Sequence, residues 1–421
     1  MPEDLTGWLA YIERQHPQAI ALGLDRVERV RDAMCLAPAV PVITVAGTNG
    51  KGSTCAMLEA ILASAGYRVG LYTSPHLQRY NERVRIGCRE VDDADLVAAF
   101  ARVEAARGWT ELTYFEFGTL AAVDLFVRGG AEVLVLEVGM GGRLDAVNVF
   151  DADCAIVTSV DLDHTDFLGA TREIIGREKA GIFRQGRPAV LADPMPPLSI
   201  PAHAEAVGAN LLRIGREFGY RGESGQWSYW GPAGKRNGLA YPALRGANQL
   251  LNASGALGAL DALRERLPVS MQHVREGLAL VDLPGRFQVL PGRPAVVLDV
   301  AHNPHAAAVL ADNLSNMGYY PRTWAVFGML RDKDIAGVVR SLSTRIDQWL
   351  VCSLPPPRGA QAAELAKALA EAGVGAVREF ENPELAYATA CGDAAENDRI
   401  AAFGSFLTVA GVIAARKRTK A

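Results

Sequence analysis

The run Gly47-Thr48-Asn49-Gly50-Lys51-Gly52-Ser53-Thr54 sets a lysine inside a glycine turn, where main-chain N–H groups can converge on an anion at the start of a helix. Lys51 adds a full positive charge, and Ser53 or Thr54 offers a hydroxyl to Mg²⁺. The spacing departs from the common phosphate loop: only Thr48 and Asn49 separate Gly47 from Gly50, and Gly52 stands between Lys51 and Ser53. A bound nucleotide is the expected occupant, with a tight strand-to-helix turn as the plainer alternative.

Further along, acid, imidazole and hydroxyl groups recur just past apolar runs. Glu137 follows Val133-Leu134-Val135-Leu136 and leads into Val138-Gly139-Met140-Gly141-Gly142-Arg143-Leu144-Asp145. A carboxylate at the end of a buried parallel strand is placed to bind Mg²⁺. Residues 155–159 run into Asp161-Leu162-Asp163-His164, where the histidine is either a metal ligand or structural. Ser74 sits in Thr73-Ser74-Pro75-His76, which alone reads as turn chemistry. In Gly176-Arg177-Glu178-Lys179 the alternating charges read as a solvated helix face, and composition alone gives Lys179 no special role. Thr113-Tyr114-Phe115-Glu116 groups aromatics beside a carboxylate, suited to core packing or to ligand stacking. Later, Asp299-Val300-Ala301-His302 delivers acid and imidazole from another buried run, with Asp299 a candidate acceptor for ribose hydroxyls. Lys333, within 328–334, and Ser405, in Gly404-Ser405-Phe406, also follow apolar runs.

These groups need strands to carry them. Strand-like runs at 42–46, 69–72, 133–138 and 155–159 alternate with helical patterns, the rhythm of a mainly parallel sheet flanked by helices. From 194 to 242 the pattern breaks into Pro, Gly and aromatic residues without helical periodicity, predicting a small antiparallel excursion. Helical periodicity returns at 248–263, and a Pro/Gly-rich crossing at 283–294 leads into further strands at 296–300, 324–327, 349–351 and 400–403, with a helix at 362–372. The expected fold class is α/β in two domains, 1–290 with a P-loop-type sheet and 291–421 with a Rossmann-like one, joined by a short linker and with a cleft as the natural ligand site.

Composition narrows the class. A chain of 421 residues, 49% hydrophobic, suits two or three soluble globular domains. A formal charge of −4 argues against wholesale nucleic-acid binding, and the basic cluster Arg416, Lys417, Arg418 and Lys420 reads as a solvated tail. The acidic start Met1-Pro2-Glu3-Asp4 is unlike a signal peptide, no apolar run has membrane-spanning length, and six scattered cysteines lack any Cys-x-x-Cys. The expectation is a cytoplasmic protein with neither disulfide framework nor zinc site, and no membrane or nucleic-acid partner.

Taken together, the chain closely resembles the folylpolyglutamate synthase family, in particular its bacterial bifunctional dihydrofolate synthase members, within the Mur-type ligases. The resemblance spans nearly the whole chain. It is carried by Gly47-Thr48-Asn49-Gly50-Lys51-Gly52-Ser53, Ser74-Pro75-His76, Leu112-Thr113-Tyr114-Phe115-Glu116, Glu137-Val138-Gly139, Gly141-Gly142-Arg143-Leu144-Asp145-Ala146, Asp163-His164-Thr165, Glu178-Lys179-Ala180-Gly181-Ile182, Pro284-Gly285-Arg286 and Asp299-Val300-Ala301-His302-Asn303-Pro304.

The resemblance implies that Thr48, Asn49, Gly50 and Lys51, extended here to Gly52 and Ser53, hold the ATP phosphates. Asn248, Arg286 and Asp299 match further ATP contacts, and Ser74, Glu137 and His164 match Mg²⁺ ligands. The lysine matching Lys179 is carbamylated in relatives, which turns a cation into an anion that helps bind metal. Lys51, His164 and Lys179 are therefore the expected catalytic group. Cofactors implied are ATP and Mg²⁺, as one ion or two, with a monovalent cation as a further option. Ala19-Ile20-Ala21-Leu22, Thr113-Tyr114-Phe115-Glu116 and Leu144-Asp145-Ala146 align with the dihydropteroate pocket, although family members can carry polar residues at the positions of Ala19 and Ala21. His302, Lys333 and Ser405 are candidates for incoming glutamate.

The activity so implied joins L-glutamate to 7,8-dihydropteroate and to tetrahydrofolates at the expense of ATP, through an acyl phosphate, in a monomer. Three alternatives stay open at this point: a Mur-type ligase acting on a cell-wall precursor, a nucleotide switch that hydrolyses ATP without ligation, and a non-enzymatic binding protein.

Overall fold

The computed structural model describes residues 1–18 and 20–420, so the expectation placed on Ala19 lies outside the described residues. The chain divides into two compact units, one of residues 1–243 with 250–281 and one of residues 244–249 with 282–421.

The first unit is built on an eight-stranded sheet: β1 (Val42–Ala46), β2 (Val69–Tyr72), β3 (Val84–Ile86), β4 (Arg89–Glu90), β5 (Val133–Glu137), β6 (Cys154–Val157), β7 (Pro188–Leu191) and β8 (Asn210–Arg213). They lie in the order β4-β3-β2-β5-β1-β6-β7-β8, parallel except for β3 and β4 at one edge. Every residue of β1 and β5 is buried, as two-face burial of central parallel strands requires and as their largely apolar runs, interrupted by Thr44 and ended by Glu137, announce. Beneath this sheet Trp8, Phe100 and Phe117 pack ring against ring. The helix Lys51–Ser64 follows β1 and is buried over most of its surface. Against it runs the helix Met271–Leu280, where Gly277 permits main-chain contact: a Cβ there would lie 2.5 Å from the Ile61 Cα.

The antiparallel excursion is present as a three-stranded sheet, β9 (Gly219–Glu223), β10 (Gln226–Gly231) and β11 (Gly234–Leu239), in the order β11-β10-β9. Asp261, on the helix Gln249–Ala262, pins it by accepting hydrogen bonds from the Tyr229 hydroxyl (2.8 Å) and from Arg236 Nη1 (2.6 Å). Unexpectedly, the stretch before it holds a helix, Ser199–Val207, and then β8, which extends the main sheet parallel to β7. Only Ile200 and Ala204 of that helix are buried, so its apolar stripe is too thin to register as a period.

The second unit carries a six-stranded sheet of β12 (Gln288–Leu290), β13 (Ala295–Leu298), β14 (Thr323–Phe327), β15 (Gln348–Cys352), β16 (Val377–Phe380) and β17 (Arg399–Phe403). Its order is β12-β13-β17-β14-β15-β16, with β12 antiparallel and the rest parallel, around the stacked rings of Phe327, Trp349 and Phe403. The C-terminal basic residues depart from the expected solvated tail. They extend the helix Phe406–Lys420, and Arg416 Nη2 donates to the Pro291 carbonyl at 3.0 Å. Among the described residues no helix is long and apolar enough to cross a membrane.

Candidate active site

The C-terminal ends of four neighbouring strands, β2, β5, β1 and β6, deliver the first unit's chemistry to one edge of its sheet. After β1 the chain turns through Gly47 (φ 152°) and Gly50 (φ 88°) into the helix that starts at Lys51. Neither glycine can be replaced without collision. A Cβ at Gly47 would fall 1.8 Å from Thr158 Oγ1, and one at Gly50 would fall 2.4 Å from Asn252 Oδ1. The loop is sewn to the end of β6: Thr48 N–H donates to the Ser159 carbonyl, Asn49 N–H to Ser159 Oγ, and Thr158 Oγ1 to the Asn49 carbonyl (2.7 Å). The Thr48 hydroxyl donates to the Asp161 carbonyl and accepts from the Asp161 N–H. Thr48 therefore braces the loop with its side chain.

Helix geometry leaves the N–H groups of Lys51, Gly52 and Ser53 without intrahelical acceptors, at the positive end of the helix dipole. Lys51 Nζ donates to the carbonyls of Gly47 (3.0 Å) and Thr48 (3.3 Å), folded back over the turn. The cradle formed by the two glycines, the free first-turn N–H groups and this ammonium fits a nucleotide's phosphates.

Lys179 overturns the expectation of a solvated helix face. On the helix Arg172–Ala180 its side chain is buried, and its Nζ donates to the Gly47 carbonyl at 2.9 Å. Burial, with the Lys51 charge second, pulls its pKa down to about 7. The loop facing this helix explains one glycine of Gly141-Gly142: a Cβ at Gly142 would meet the carbonyl oxygens of Glu178 and Lys179 at 2.8 and 2.9 Å. Arg143 locks the approach, its N–H donating to the Glu178 carbonyl and its guanidinium pairing with the Glu178 carboxylate.

Glu137, buried at the end of β5, accepts the Ser74 N–H on Oε2 at 3.1 Å, so the expected metal-ligand pair is in contact. His164 stands on the loop after β6 in a left-handed conformation (φ 51°), uncommon for a residue with a Cβ, with its Nε2 4.0 Å from Asp163 Oδ2. Among the described residues no three His, Cys, Asp or Glu side chains gather into a metal cage. Carboxylate and hydroxyl oxygen from Glu137 and Ser74, completed by water and phosphate oxygens, fit Mg²⁺, which rarely takes an all-protein cage.

The three segments expected to form the acceptor pocket do converge. Arg26 ties two of them, its Nη2 donating both to the Ala21 carbonyl and to Glu116 Oε1, each at 2.8 Å. The third joins through Gly23 N–H to the Leu144 carbonyl. Phe115 lies against Gly139, where a Cβ would meet the ring at 2.7 Å, and it packs 5.7 Å from Tyr72. Two carboxylates expected to touch substrate also hold intramolecular partners. Glu116 closes a capping box with Thr113 and pairs with Arg26, while Asp145 accepts the N–H groups of Met140 and Val147. Burial raises the Asp145 pKa to about 7. Both carboxylates thereby hold together the segments that also carry Ile20, Leu22, Tyr114, Phe115, Leu144 and Ala146.

In the second unit, Asp299 lies just past β13 and is partly buried. Its oxygens accept the N–H groups of Phe287 (3.0 Å) and Ala301 (2.8 Å), and burial raises its pKa. It thereby ties Pro284-Gly285-Arg286 to Ala301-His302, reinforced by Val300 N–H on the Gly285 carbonyl. Phe406, next to Ser405, is flanked by the Arg286 guanidinium (4.9 Å) and the His302 ring (6.4 Å). Lys333 stands on the loop after β14, and Asn248 just before the helix Gln249–Ala262.

Sequence reasoning missed Asn252 and Arg26. Asn252 lies one helical turn beyond Asn248, a spacing that could have drawn attention to it. Arg26 meets a carboxylate 90 residues away and gives no local signal.

Comparison with known proteins bears on all these elements. Residues 45–194 match the Mur ligase middle domain and residues 285–406 the Mur ligase glutamate ligase domain. The chain is 46% identical over 410 residues to dihydrofolate synthase/folylpolyglutamate synthase of Escherichia coli K12, covering 97% of this chain and 94% of that one. Among solved structures, E. coli FolC in complex with DHPP and ADP superposes with a TM-score of 0.96 at 45% identity, covering all of both chains. A bifunctional folylpolyglutamate synthase/dihydrofolate synthase with Mn, AMPPNP and L-glutamate bound gives 0.92 at 46% identity, covering 99% of this chain and 98% of that one.

Proposed function

We infer the function from one premise: this chain belongs to the dihydrofolate synthase/folylpolyglutamate synthase family of Mur ligases. It is an ATP-dependent carboxylate–amine ligase that adds L-glutamate to dihydropteroate and to reduced folates, with ATP and a divalent cation as cofactors. The observation that carries this reading is the convergence, at one sheet edge, of the phosphate loop, the Glu137–Ser74 pair and the pocket braced by Arg26.

A carboxylate is a poor acyl donor because an attacking amine would have to expel oxide. Transfer of the γ-phosphoryl group from ATP to a carboxylate oxygen, with ADP released, makes that oxygen part of a good leaving group. The glutamate α-amine then attacks the acyl carbon, the C–N bond forms, and inorganic phosphate departs with the oxygen. In our reading Lys51 and the N–H groups of Lys51, Gly52 and Ser53 face the charge that spreads over the transferring group. Mg²⁺, when bound, neutralises phosphate charge, and Glu137, Ser74 and His164 are the side chains we assign to hold it, with Lys179 joining them as its carbamate. Ile20, Leu22, Tyr114, Phe115, Leu144 and Ala146 orient the acceptor. In the second unit we assign Asn248, Arg286 and Asp299 to the nucleotide and His302, Lys333 and Ser405 to glutamate. Residues 1–290 then act as the ATP-binding domain and 291–421 as the glutamate-ligase domain, in a cytoplasmic enzyme.

Purified protein given Mg-ATP and L-glutamate, with dihydropteroate or tetrahydrofolate in parallel, tests the reading by product mass. Dihydropteroate labelled with ¹⁸O in its carboxylate should pass one label to phosphate. ATP hydrolysis indifferent to both acceptors would overturn it.

A further inference from the structure

We propose that Arg83 reads the α-carboxylate of an acceptor that already carries glutamate, a group dihydropteroate lacks, and so sets the balance between the two ligations. The proposal rests on the ligase reading above.

Arg83 stands beside the reactive edge. Its carbonyl accepts the Thr73 N–H at 2.9 Å, the residue before Ser74, and its Nε donates to His76 Nδ1 at 2.9 Å. Its guanidinium carbon lies 5.2 Å from the Tyr80 ring centroid and 5.5 Å from that of Tyr114, the aromatic that opens the acceptor-pocket segment. One side of Arg83 thus touches the loop carrying Ser74 and the other touches the pocket wall.

What distinguishes this cation is its lack of an acid. Arg26 pairs with Glu116 and Arg143 with Glu178. Among the described residues no carboxylate lies within ion-pair distance of Arg83. Its neighbour Glu82 is engaged by the N–H groups of Leu77, Gln78 and Arg79 at 2.6 to 2.8 Å. With Nε committed to His76, both Nη groups remain as a planar fork suited to a carboxylate, held half-buried between aromatic faces that limit water's access. Such a charge favours an anionic partner more strongly than an exposed one does.

The substrate's own chemistry says which anion. In dihydropteroate the single carboxylate is the electrophile and must reach the phosphate loop. In a glutamylated folate the reacting γ-carboxylate goes there instead, and the α-carboxylate lies on the chain between it and the aromatic amide. Arg83, between the Ser74 loop and the Tyr114 wall, occupies the corresponding stretch of the protein.

The test compares wild type with Arg83→Gln and Arg83→Lys on tetrahydrofolate, its α-carboxamide analogue and dihydropteroate, with thermal melting and ATP-analogue binding as checks on folding. The ratio of kcat/KM for tetrahydrofolate to that for dihydropteroate should fall ~10-fold or more in Arg83→Gln, as loss of a charge-assisted pair predicts. Arg83→Lys should fall between the two. Wild type should prefer the carboxylate over the carboxamide, and Arg83→Gln should not. Equal losses on both acceptors, or undiminished preference for the carboxylate in the variant, would overturn the proposal. Failure of wild type to ligate either acceptor would instead overturn the functional reading, and this proposal with it.

Discussion

The side-chain nitrogens of Lys51 and Lys179 share one acceptor, the carbonyl oxygen of Gly47, at 3.0 and 2.9 Å. Two cations in such proximity, one of them buried, do not both stay charged easily, and the buried one yields: Lys179 titrates near 7. At neutral pH a large fraction of its amine is uncharged, the form that can take up CO₂. Conversion to a carbamate would replace a repulsive neighbour of Lys51 by an attractive one.

Replacing Lys179 by Ala should lower ligation by about 100-fold or more while an ATP analogue still binds, and a small carboxylate such as acetate should restore part of the rate. Undiminished turnover in the variant would show that no carbamate is needed. Lys51→Ala should lose turnover to a similar extent without rescue, since its role is a positive charge on phosphate.

Gly50→Ala should weaken nucleotide binding more than it lowers stability. Its φ of 88° is costly for a side chain, and the new methyl would meet Asn252 Oδ1 at 2.4 Å. Calorimetry with an ATP analogue, beside a thermal melt, separates the two; wild-type affinity in the variant would mean the loop relaxes freely.

Arg26→Met should raise KM for dihydropteroate by about 10-fold and leave the ATP affinity alone, because it cuts the brace between the Ala21 carbonyl and Glu116. Steady-state kinetics varying each substrate in turn will show it. Equal effects on both substrates would argue that the brace supports the whole unit.

Glu59, buried on the helix Lys51–Ser64, pairs with Arg85 at 2.9 Å, yet its Oε1 has no partner, and burial raises its pKa from 4.5 to about 7. The folded state then holds a proton that the unfolded state has released between those values. Stability contributed by the protonated carboxyl is present in full below 4.5 and declines as pH rises to 7. Glu59→Gln should flatten that slope and gain on the order of 2 kcal/mol at pH 8. Urea melts of both proteins at pH 5.5 and 8 decide it; parallel slopes would refute the assignment.

What was legible in the chain was local. Buried strands such as 42–46 and 133–137 betray themselves because two-face burial demands a largely apolar run, four residues in five in each. Glu137 drew attention because it ends such a run, whereas Ser74 read as turn chemistry until the family resemblance singled it out. Lys179 was not legible from composition, since its neighbours Arg177 and Glu178 write a surface pattern and only the packing of the Gly142 loop on its helix encloses it; the family resemblance singled it out. The main-chain hydrogen bonds of Glu116 and Asp145 were not legible, because a carboxylate that holds N–H groups has the same sequence signature as one facing a ligand. β8 and the helix Ser199–Val207 escaped because edge elements bury little.

The contact between Gly277 and Ile61 has a consequence for binding entropy. Two helices whose main chains touch leave no space for side-chain rearrangement between them, so the helix Lys51–Ser64 is fixed along its flank. A nucleotide arriving at Lys51 meets a terminus whose conformational freedom was already lost when the unit folded. Little of its attraction is then spent on ordering the receptor, and affinity at the phosphate loop should respond to Gly277→Ala, a substitution far from any phosphate.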